Sequence, residues 1–378
     1  MLVVHRWLQT PPSESVRTLG LALTALERTG VEDPAGHVVA LRGLYTALLL
    51  VGKQEFTSEQ LDIVKRFSQD KRFDLIRYPG ISPDEANLYS VLDEPVYYEA
   101  YSAVLDAEDR TAFYASYPFD ITPPSDDRPF FFHFFRWSQT PEILQTWGKT
   151  WQPFGGSGYL VLLVLLALAL LASVTLILLP LVFLKDRGQS RHGKRLFLYF
   201  LLLGIGYLFV EIPLLQRFIL FLSHPVYAFA TVLFGLLTFS GLGSLVSPRL
   251  SLRKAMVMLI ALLVCYPLVL PHVFGWLLGA GLLVRVAASV IVLAPLGFLM
   301  GVPFPAGIKL MGRIAPALVP WAWAVNGCAS VLSSILAVMI AISHGFSRVL
   351  IAGGLAYALA LVVIYALVAV KPTIAQEP

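Results

Sequence analysis

One apolar stretch, residues 204 to 247, constrains most strongly what this chain can fold into. It reads GIGYLFVEIPLLQRFILFLSHPVYAFATVLFGLLTFSGLGSLVS and is apolar enough to lie in a bilayer, yet it contains Glu211, Pro213 and Arg217. An ionisable group at hydrocarbon depth is costly, and it usually faces the interior of a helix bundle or a wet cavity. The stretch therefore predicts a multi-pass membrane protein with polar groups inside its bundle.

Apolar runs of this kind divide the chain into three parts. Hydrophobic residues make up 57% of the chain and charged residues 14%, and the long apolar runs begin only after residue 157. Since about 20 apolar residues span the hydrocarbon core, we predict a partial α/β domain over 1–157, a transmembrane helical bundle over 158–371 and a C-terminal tail over 372–378. The predicted spans number about seven: 159–184, 194–222, 225–247, 252–271, 283–303, 321–343 and 349–370.

Basic residues are concentrated in alternate loops between these spans. They are Lys185, Arg187, Arg191, Lys194, Arg195, Arg249, Arg253, Lys254, Lys309, Arg313 and, after the last span, Lys371. The positive-inside rule predicts that these loops and the C-terminus face the cytoplasm of a cell inner (plasma) membrane, which puts residues 1–157 outside. The net charge of +4 is small and no nucleic-acid module is recognised. The predicted partner is therefore the lipid bilayer, and no nucleic acid is expected.

Four polar side chains inside the spans are the candidates for function: Glu211, Arg217, Arg285 and Asn326. Glu211 could carry a proton or hold a cation, or it could form an ion pair with Arg217 or Arg285 that locks two helices together. Asn326 could hydrogen-bond across helices or line a cavity. These alternatives stay open at the level of sequence.

Prolines and glycines predict where the spans break or kink and how closely they approach one another. The segment 194–222 is too long for one straight crossing, so it should tilt or break, and we predict a break at Pro213, just after Glu211. The run APLGFLMGVPFPAG predicts a kinked span that ends in a turn. Small residues at four-residue spacing, such as Gly297 and Gly301, predict close approach between helices.

The N-terminal part begins with strand and helix patterns in alternation. LVVHRW is of strand type, SESVRTLGLALTALERTG has an apolar stripe at helical spacing, HVVALRGLYTALLLV indicates two strands, and FDLI indicates another. Thr57 and Gln60 form a capping box that opens a further helix. This order predicts an α/β layer structure. Because Cys265 and Cys328 both fall inside apolar spans, we expect no disulfide framework and no metal site.

The segment PPSDDRPFFFHFFRW, residues 123–137, supports two interpretations. In one, Asp126, Asp127 and His133 form a metal or substrate cluster. In the other, which we favour, the two aspartates cap a turn, Arg128 pairs locally and the phenylalanine run docks against the rest of the domain or the membrane surface. Three tryptophans from this point onward predict an interfacial belt: Trp137, Trp147 and Trp151.

Several of these segments together resemble a known family. GIGYLFVEIPLLQRFILFLSHPVYAFATVLFGLLTFSGLGS, PLGFLMGVPFPAGIKLM and WAWAVNGCASVLSSILAV resemble the membrane part of bacterial spermidine synthase-like (polyamine aminopropyltransferase-like) multi-pass proteins. LVVHRWLQTPPSESVRTLGLAL, HVVALRGLYTALLLVGKQEFTSEQL and SDDRPFFFHFF are similar to the C-terminal half of the domain fused to such bundles. The resemblance implies a partial Rossmann-like, class I methyltransferase-type α/β segment followed by a polytopic α-helical membrane bundle.

The same resemblance implies which functional parts to expect. The family holds an adenosyl cofactor on a Gly-rich turn, and residues 1–150 contain no such turn. Catalytic residues are therefore unknown, no cofactor-binding residue is assigned, and an S-adenosylmethionine-type cofactor is expected only in a complete form. We predict a protein of this class that has no transferase activity by itself. The complete form would be an adenosylmethionine-type group transferase. A partner or an upstream domain is expected to complete the α/β sheet.

Two further functions are compatible with the sequence. The bundle could bind or move a small amine or cation through the Glu211 region, in which case the soluble part would act as a docking surface. Alternatively, the chain could be a scaffold whose apolar patch, Phe130 to Phe135, binds a partner that supplies missing strands. The first alternative predicts loss of transport on Glu211→Gln, whereas a transferase would ignore that change.

Overall fold

The computed structural model describes residues 1–139, 141, 157–179 and 193–368. Two compact units make up the chain. The sheet unit comprises Met1–Ser125 and Pro129–Tyr159, and the helical unit comprises Asp126–Arg128 and Leu160–Pro378. The predicted tail 372–378, Trp147 and Trp151 lie outside the described residues.

The sheet unit is built on four strands. They are β1 (Leu2–Trp7), β2 (Val38–Arg42), β3 (Thr46–Val51) and β4 (Asp74–Arg77). Their order across the sheet is β1-β3-β2-β4, and every neighbouring pair is antiparallel. Because β3 runs antiparallel to both of its neighbours, β1 and β2 point in the same direction.

Helices cover both faces of this sheet. They are α1 (Glu14–Arg28), α2 (Ser58–Lys71), α3 (Val96–Asp106) and α4 (Arg110–Ser116). Val38 and Ala40 point to the core that contains the apolar stripe of α1, whereas Val39 and Leu41 point to a separate core with Leu61 of α2. This alternation is the period of two that a strand requires. The predicted capping box of Thr57 and Gln60 is confirmed at the start of α2.

Strand β1 leaves one edge of the sheet open. Its only partner among the described residues is β3, and Leu2, Val3 and Trp7 are exposed to 61%, 51% and 66%. Four of its six residues are apolar, and the other two are His5 and Arg6. An open edge strand is a template for pairing with further strands, and natural sheets usually cover or charge such an edge. The sheet therefore has an open edge where further strands could be added.

The phenylalanine run docks within the sheet unit, around a buried arginine of α1. Arg17 Nη1 donates hydrogen bonds to the carbonyl oxygens of Phe130 (3.1 Å) and His133 (2.8 Å), and its guanidinium lies 4.7 Å from the ring centroid of Phe134. Phe134 and Phe135 are buried. Of the two predicted docking surfaces, the rest of the domain is the one found, because the Arg17 guanidinium holds carbonyl groups of this run by hydrogen bonds.

The helical unit contains seven helices that are long and apolar enough to span a membrane, as predicted. This count covers the described residues only. The helices are α5 (Ser157–Ala172, continued by a π-helical turn Ser173–Leu178), α6 (Gly193–Leu222), α7 (Pro225–Val246), α8 (Leu252–Leu277), α9 (Leu282–Met300) with α10 (Pro303–Ile314), α11 (Val319–His344) and α12 (Phe346–Val368).

The prediction of a helix break at Pro213 is wrong, because α6 is continuous over 30 residues. Pro213 is buried inside the helix, and Val210, Leu214 and Phe218 near it are fully buried in the bundle core. A proline removes one backbone hydrogen bond and crowds one carbonyl, and neighbouring helices in a bundle can hold the helix together around that defect. At about 1.5 Å per residue, α6 is about 45 Å long, which exceeds the hydrocarbon thickness of about 30 Å.

Close helix approach occurs where glycines were expected to allow it. A Cβ on Gly297 would lie 3.1 Å from Phe239 Cβ, and a Cβ on Gly301 would overlap the Ser240 carbonyl oxygen of α7. The predicted turn at the end of this span is also found, because α9 ends at Met300 and α10 begins at Pro303. Small residues therefore bring α7 and α9 into backbone contact.

Basic residues gather at one end of the helical unit. Arg195 Nη1, at the start of α6, donates to the Ala366 carbonyl oxygen near the end of α12 (3.1 Å), and Arg253 of α8 lies 5.8 Å from the Tyr365 ring centroid. Helix α10, with its own basic residues, packs against α8 and the turn before it. Seven basic residues belong to these segments: Lys194, Arg195, Arg249, Arg253, Lys254, Lys309 and Arg313.

Candidate functional site

The carboxylate of Asp127 organises the opposite end of the helical unit. Its Oδ1 accepts hydrogen bonds from Ser347 N (2.9 Å) and Ser347 Oγ (2.6 Å), and it lies 3.1 Å from Arg217 Nη2 of α6. The Asp127 carbonyl oxygen also accepts from Phe346 N (2.9 Å). Asp127 thus caps the first turn of α12, where free N–H groups and the helix dipole favour a negative charge.

A glycine makes this close contact possible. Gly345 connects α11 to α12 with a φ of +88°, and a Cβ at this position would overlap Asp127 Oδ2. Arg128 Nε donates to the Ile342 carbonyl oxygen (2.6 Å) at the end of α11. The tripeptide Asp126–Arg128 therefore contacts the ends of three helices, α6, α11 and α12, within one unit.

Asp126 and Asp127 lie in a turn, as predicted. The Asp127 side chain caps α12 instead of that turn, and Arg128, which was predicted to pair locally, donates to a carbonyl oxygen 214 residues away. In the part of the chain that the structure describes, no group of three His, Cys, Asp or Glu side chains is placed to hold a metal ion. The sequence interpretation did not anticipate the partners of Asp127, because Arg217 and Ser347 are 90 and 220 residues away.

A cavity of about 460 Å³ lies beside this cluster, and we call it the Arg217 cavity. Its walls come from the tripeptide, α6, α8 and the start of α12. Its lining residues are Asp126, Asp127, Arg217, Leu220, Phe221, Pro267, Leu270, Pro271, Phe274, Gly275, Leu278 and Ser347. The lining combines two carboxylates and one guanidinium with a largely apolar wall.

A second cavity, of about 500 Å³, lies further toward the basic end of the unit, and we call it the Tyr207 cavity. It is lined by Leu203, Tyr207, Leu208, Leu237, Ser240, Gly241, Ser244, Met300, Gly301, Pro303, Phe304, Pro305, Asn326, Ser330 and Tyr357. Asn326 combines both predicted roles, because its Nδ2 donates to the Phe200 carbonyl oxygen of α6 (3.1 Å) and the residue lines this cavity. The lining is polar at several positions and carries no formal charge.

Glu211 lies on α6 between the parts of the helix that line the two cavities. Tyr207 and Leu208 line one cavity and Arg217 lines the other. At about 1.5 Å per residue, these two parts are about 14 Å apart along the helix axis. Glu211 is four residues after Tyr207, so both side chains project from the same face of α6.

The two arginines that were predicted as partners of Glu211 have other partners. Arg217 pairs with Asp127, and Arg285 Nη1 donates to the Phe221 carbonyl oxygen (2.8 Å) and to Ser223 Oγ (3.0 Å). Among the ion pairs of the described residues, none joins Glu211 to either arginine. The alternative of a helix-locking ion pair at Glu211 is therefore not found there.

Comparison with known proteins identifies no relative: no family model, no curated protein and no solved structure matches this chain.

Proposed function

We propose that the helical unit binds and moves a small amine or other small cation across a cell inner membrane through the Glu211 region. The observation that carries this proposal is the position of Glu211 on α6, half-buried and between two cavities at different depths of the bundle. An ionisable residue inside a membrane segment usually marks an ion or substrate pathway. Its carboxylate would supply the negative charge that a cation needs between the two cavities.

The packing around Glu211 supports a path that opens and closes. Val210 and Leu214 of α6 and Leu350 of α12 are fully buried, and they belong to one hydrophobic core. Gly353 lets α12 pack directly on Phe209 and Val210. A packed layer between two cavities separates the two sides of the membrane, as alternating access requires of a carrier.

The Glu211→Gln variant tests this proposal. The full chain is reconstituted in proteoliposomes, and entry of radiolabelled tetramethylammonium, which carries a permanent charge, is followed after a potential is imposed. We expect uptake by the wild-type chain and a loss of at least tenfold in the variant, because glutamine keeps the shape of the side chain and removes its charge. The matched control is Glu59→Gln, an exposed residue of the sheet unit, which should transport normally. Equal uptake by both variants would reject the role of Glu211.

We also propose that the chain belongs to the spermidine synthase-like class. In the sheet unit, β1 leads through α1 to β2, which points in the same direction, and helices cover both sheet faces. This arrangement is compatible with the C-terminal half of a Rossmann-like, methyltransferase-type domain, although all neighbouring strands are antiparallel. The open outer edge of β1, with Leu2, Val3 and Trp7 exposed, supports the further proposal that a partner or an upstream domain supplies additional strands.

Equilibrium dialysis with radiolabelled S-adenosylmethionine distinguishes the two proposals. We expect no saturable binding to this chain, because the resemblance assigns the cofactor to a Gly-rich turn that residues 1–150 lack. If the chain bound the cofactor saturably and Glu211→Gln took up tetramethylammonium normally, the carrier proposal would be rejected in favour of a transferase.

A further inference from the structure

The Arg217 cavity has the size and the mixed lining of a small-molecule site. Its volume of about 460 Å³ falls within the range of ligand pockets, which are mostly apolar and contain a few polar groups that orient the ligand. Phe221 and Phe274 form one wall as a stacked pair, with ring centroids 4.2 Å apart and planes at 9°. Aromatic rings of this kind attract cations as well as apolar groups.

The charges around the cavity leave one negative charge without an opposite partner. The carboxylate of Asp127 is balanced by Arg217 at 3.1 Å, and it also caps α12. Asp126 is exposed and lines the same cavity, and it has no hydrogen-bond or ion-pair partner among the residues that the structure describes. The charged side chains that line the cavity are therefore two carboxylates and one guanidinium, with a formal charge of −1, which favours a ligand that carries one positive charge.

The apolar part of the lining determines what the rest of the ligand must be. Leu220, Leu270, Leu278 and two prolines, Pro267 and Pro271, surround the aromatic pair. A polyamine would have to place additional ammonium groups against these side chains, and burying an unpaired charge is costly. An amine with a single charge and an apolar body matches both parts of the lining.

We propose that the Arg217 cavity binds a monoamine with an apolar body, whose ammonium pairs with Asp126 and whose body packs on Phe221 and Phe274. The Arg217 cavity is one of the two cavities beside Glu211 in the proposed path, but binding of a monoamine there requires neither Glu211 nor transport. Its ligand class also differs from polyamines, because the cavity offers only one unbalanced negative charge.

Calorimetric titration of the purified full chain in detergent tests this inference with three probes. They are 2-phenylethylamine, the neutral 2-phenylethanol of the same shape, and spermidine. We expect 2-phenylethylamine to bind at least tenfold more tightly than either of the others. Asp126→Asn should weaken that binding about tenfold or more, the effect of removing a hydrogen bond to a charged group. The matched control, Asp70→Asn, changes an exposed aspartate of α2 and should bind like the wild type.

A second variant tests the aromatic wall. Phe274→Leu keeps an apolar side chain and removes the ring, so 2-phenylethylamine should bind about two- to fivefold more weakly. The proposal would be overturned if 2-phenylethylamine did not bind to the wild type, or if it bound to Asp126→Asn as tightly as to the wild type. It would also be overturned if 2-phenylethanol bound to the wild type as tightly as 2-phenylethylamine does, or if spermidine bound more tightly. Titration in detergent involves no transport, so failure here and failure of the Glu211 proposal are separate results.

Discussion

Replacing Asp127 by alanine should lower the free energy of unfolding of the helical unit by about 2 to 4 kcal/mol. The change removes the cap on the first turn of α12, which is worth about 1 kcal/mol, and it leaves Arg217, only 12% exposed, without its carboxylate. A buried cation that loses its counter-charge is strongly destabilising. The measurement is the unfolding of the purified chain in mixed micelles as the fraction of denaturing detergent increases.

The neighbouring aspartate provides the control for this prediction. Asp126 lies in the same turn and is exposed, and it has no partner among the described residues, so Asp126→Ala in the absence of ligand should stay within about 0.5 kcal/mol of the wild type. Hydrogen exchange should separate the two variants further, with faster exchange at Ser347 only in Asp127→Ala. Similar unfolding curves for the two variants would show that Asp127 does not hold these helix ends together.

Adding one methyl group at Gly243 should destabilise the bundle, whereas the same change at Gly241 should not. A Cβ on Gly243 would overlap the Phe298 carbonyl oxygen of α9, whereas no described atom lies within 4 Å of a Cβ on Gly241. Backbone atoms cannot turn aside as a side chain can, so the two helices must separate. We expect Gly243→Ala to cost about 1 to 3 kcal/mol.

Gly241→Ala, in contrast, should leave the stability of the bundle unchanged or raise it. Alanine is the better helix former by about 0.5 to 1 kcal/mol, and the exposed position offers room for the methyl group. Both variants are compared with the wild type by thermal unfolding in detergent, with a lower Tm for Gly243→Ala and an equal or higher Tm for Gly241→Ala. A stable Gly243→Ala protein would mean that α7 and α9 do not pack at this position.

Local patterns predicted most of the secondary structure correctly. The seven spans depend on apolar runs of sufficient length, which is a property of each segment alone, and all seven are confirmed. The capping box at Thr57, the turn at Asp126 and the interruption after Met300 also follow from residues next to one another. Pro213 shows the limit of such reasoning, since a proline predicts a break and the surrounding helices keep α6 continuous.

Other parts of the site depend on contacts that no local pattern contains. The pairing of Asp127 with Arg217 and Ser347 joins residues that are 90 and 220 positions apart. The two cavities are each lined by side chains from several helices, and Phe221 and Phe274 become one aromatic wall only when α6 and α8 pack together. The sequence by itself determined which segments enter the membrane and which polar residues enter with them, because hydrophobicity acts on each segment independently. Only the tertiary structure decided which charges neutralise one another and which remain beside a cavity, because that depends on the packing of distant helices.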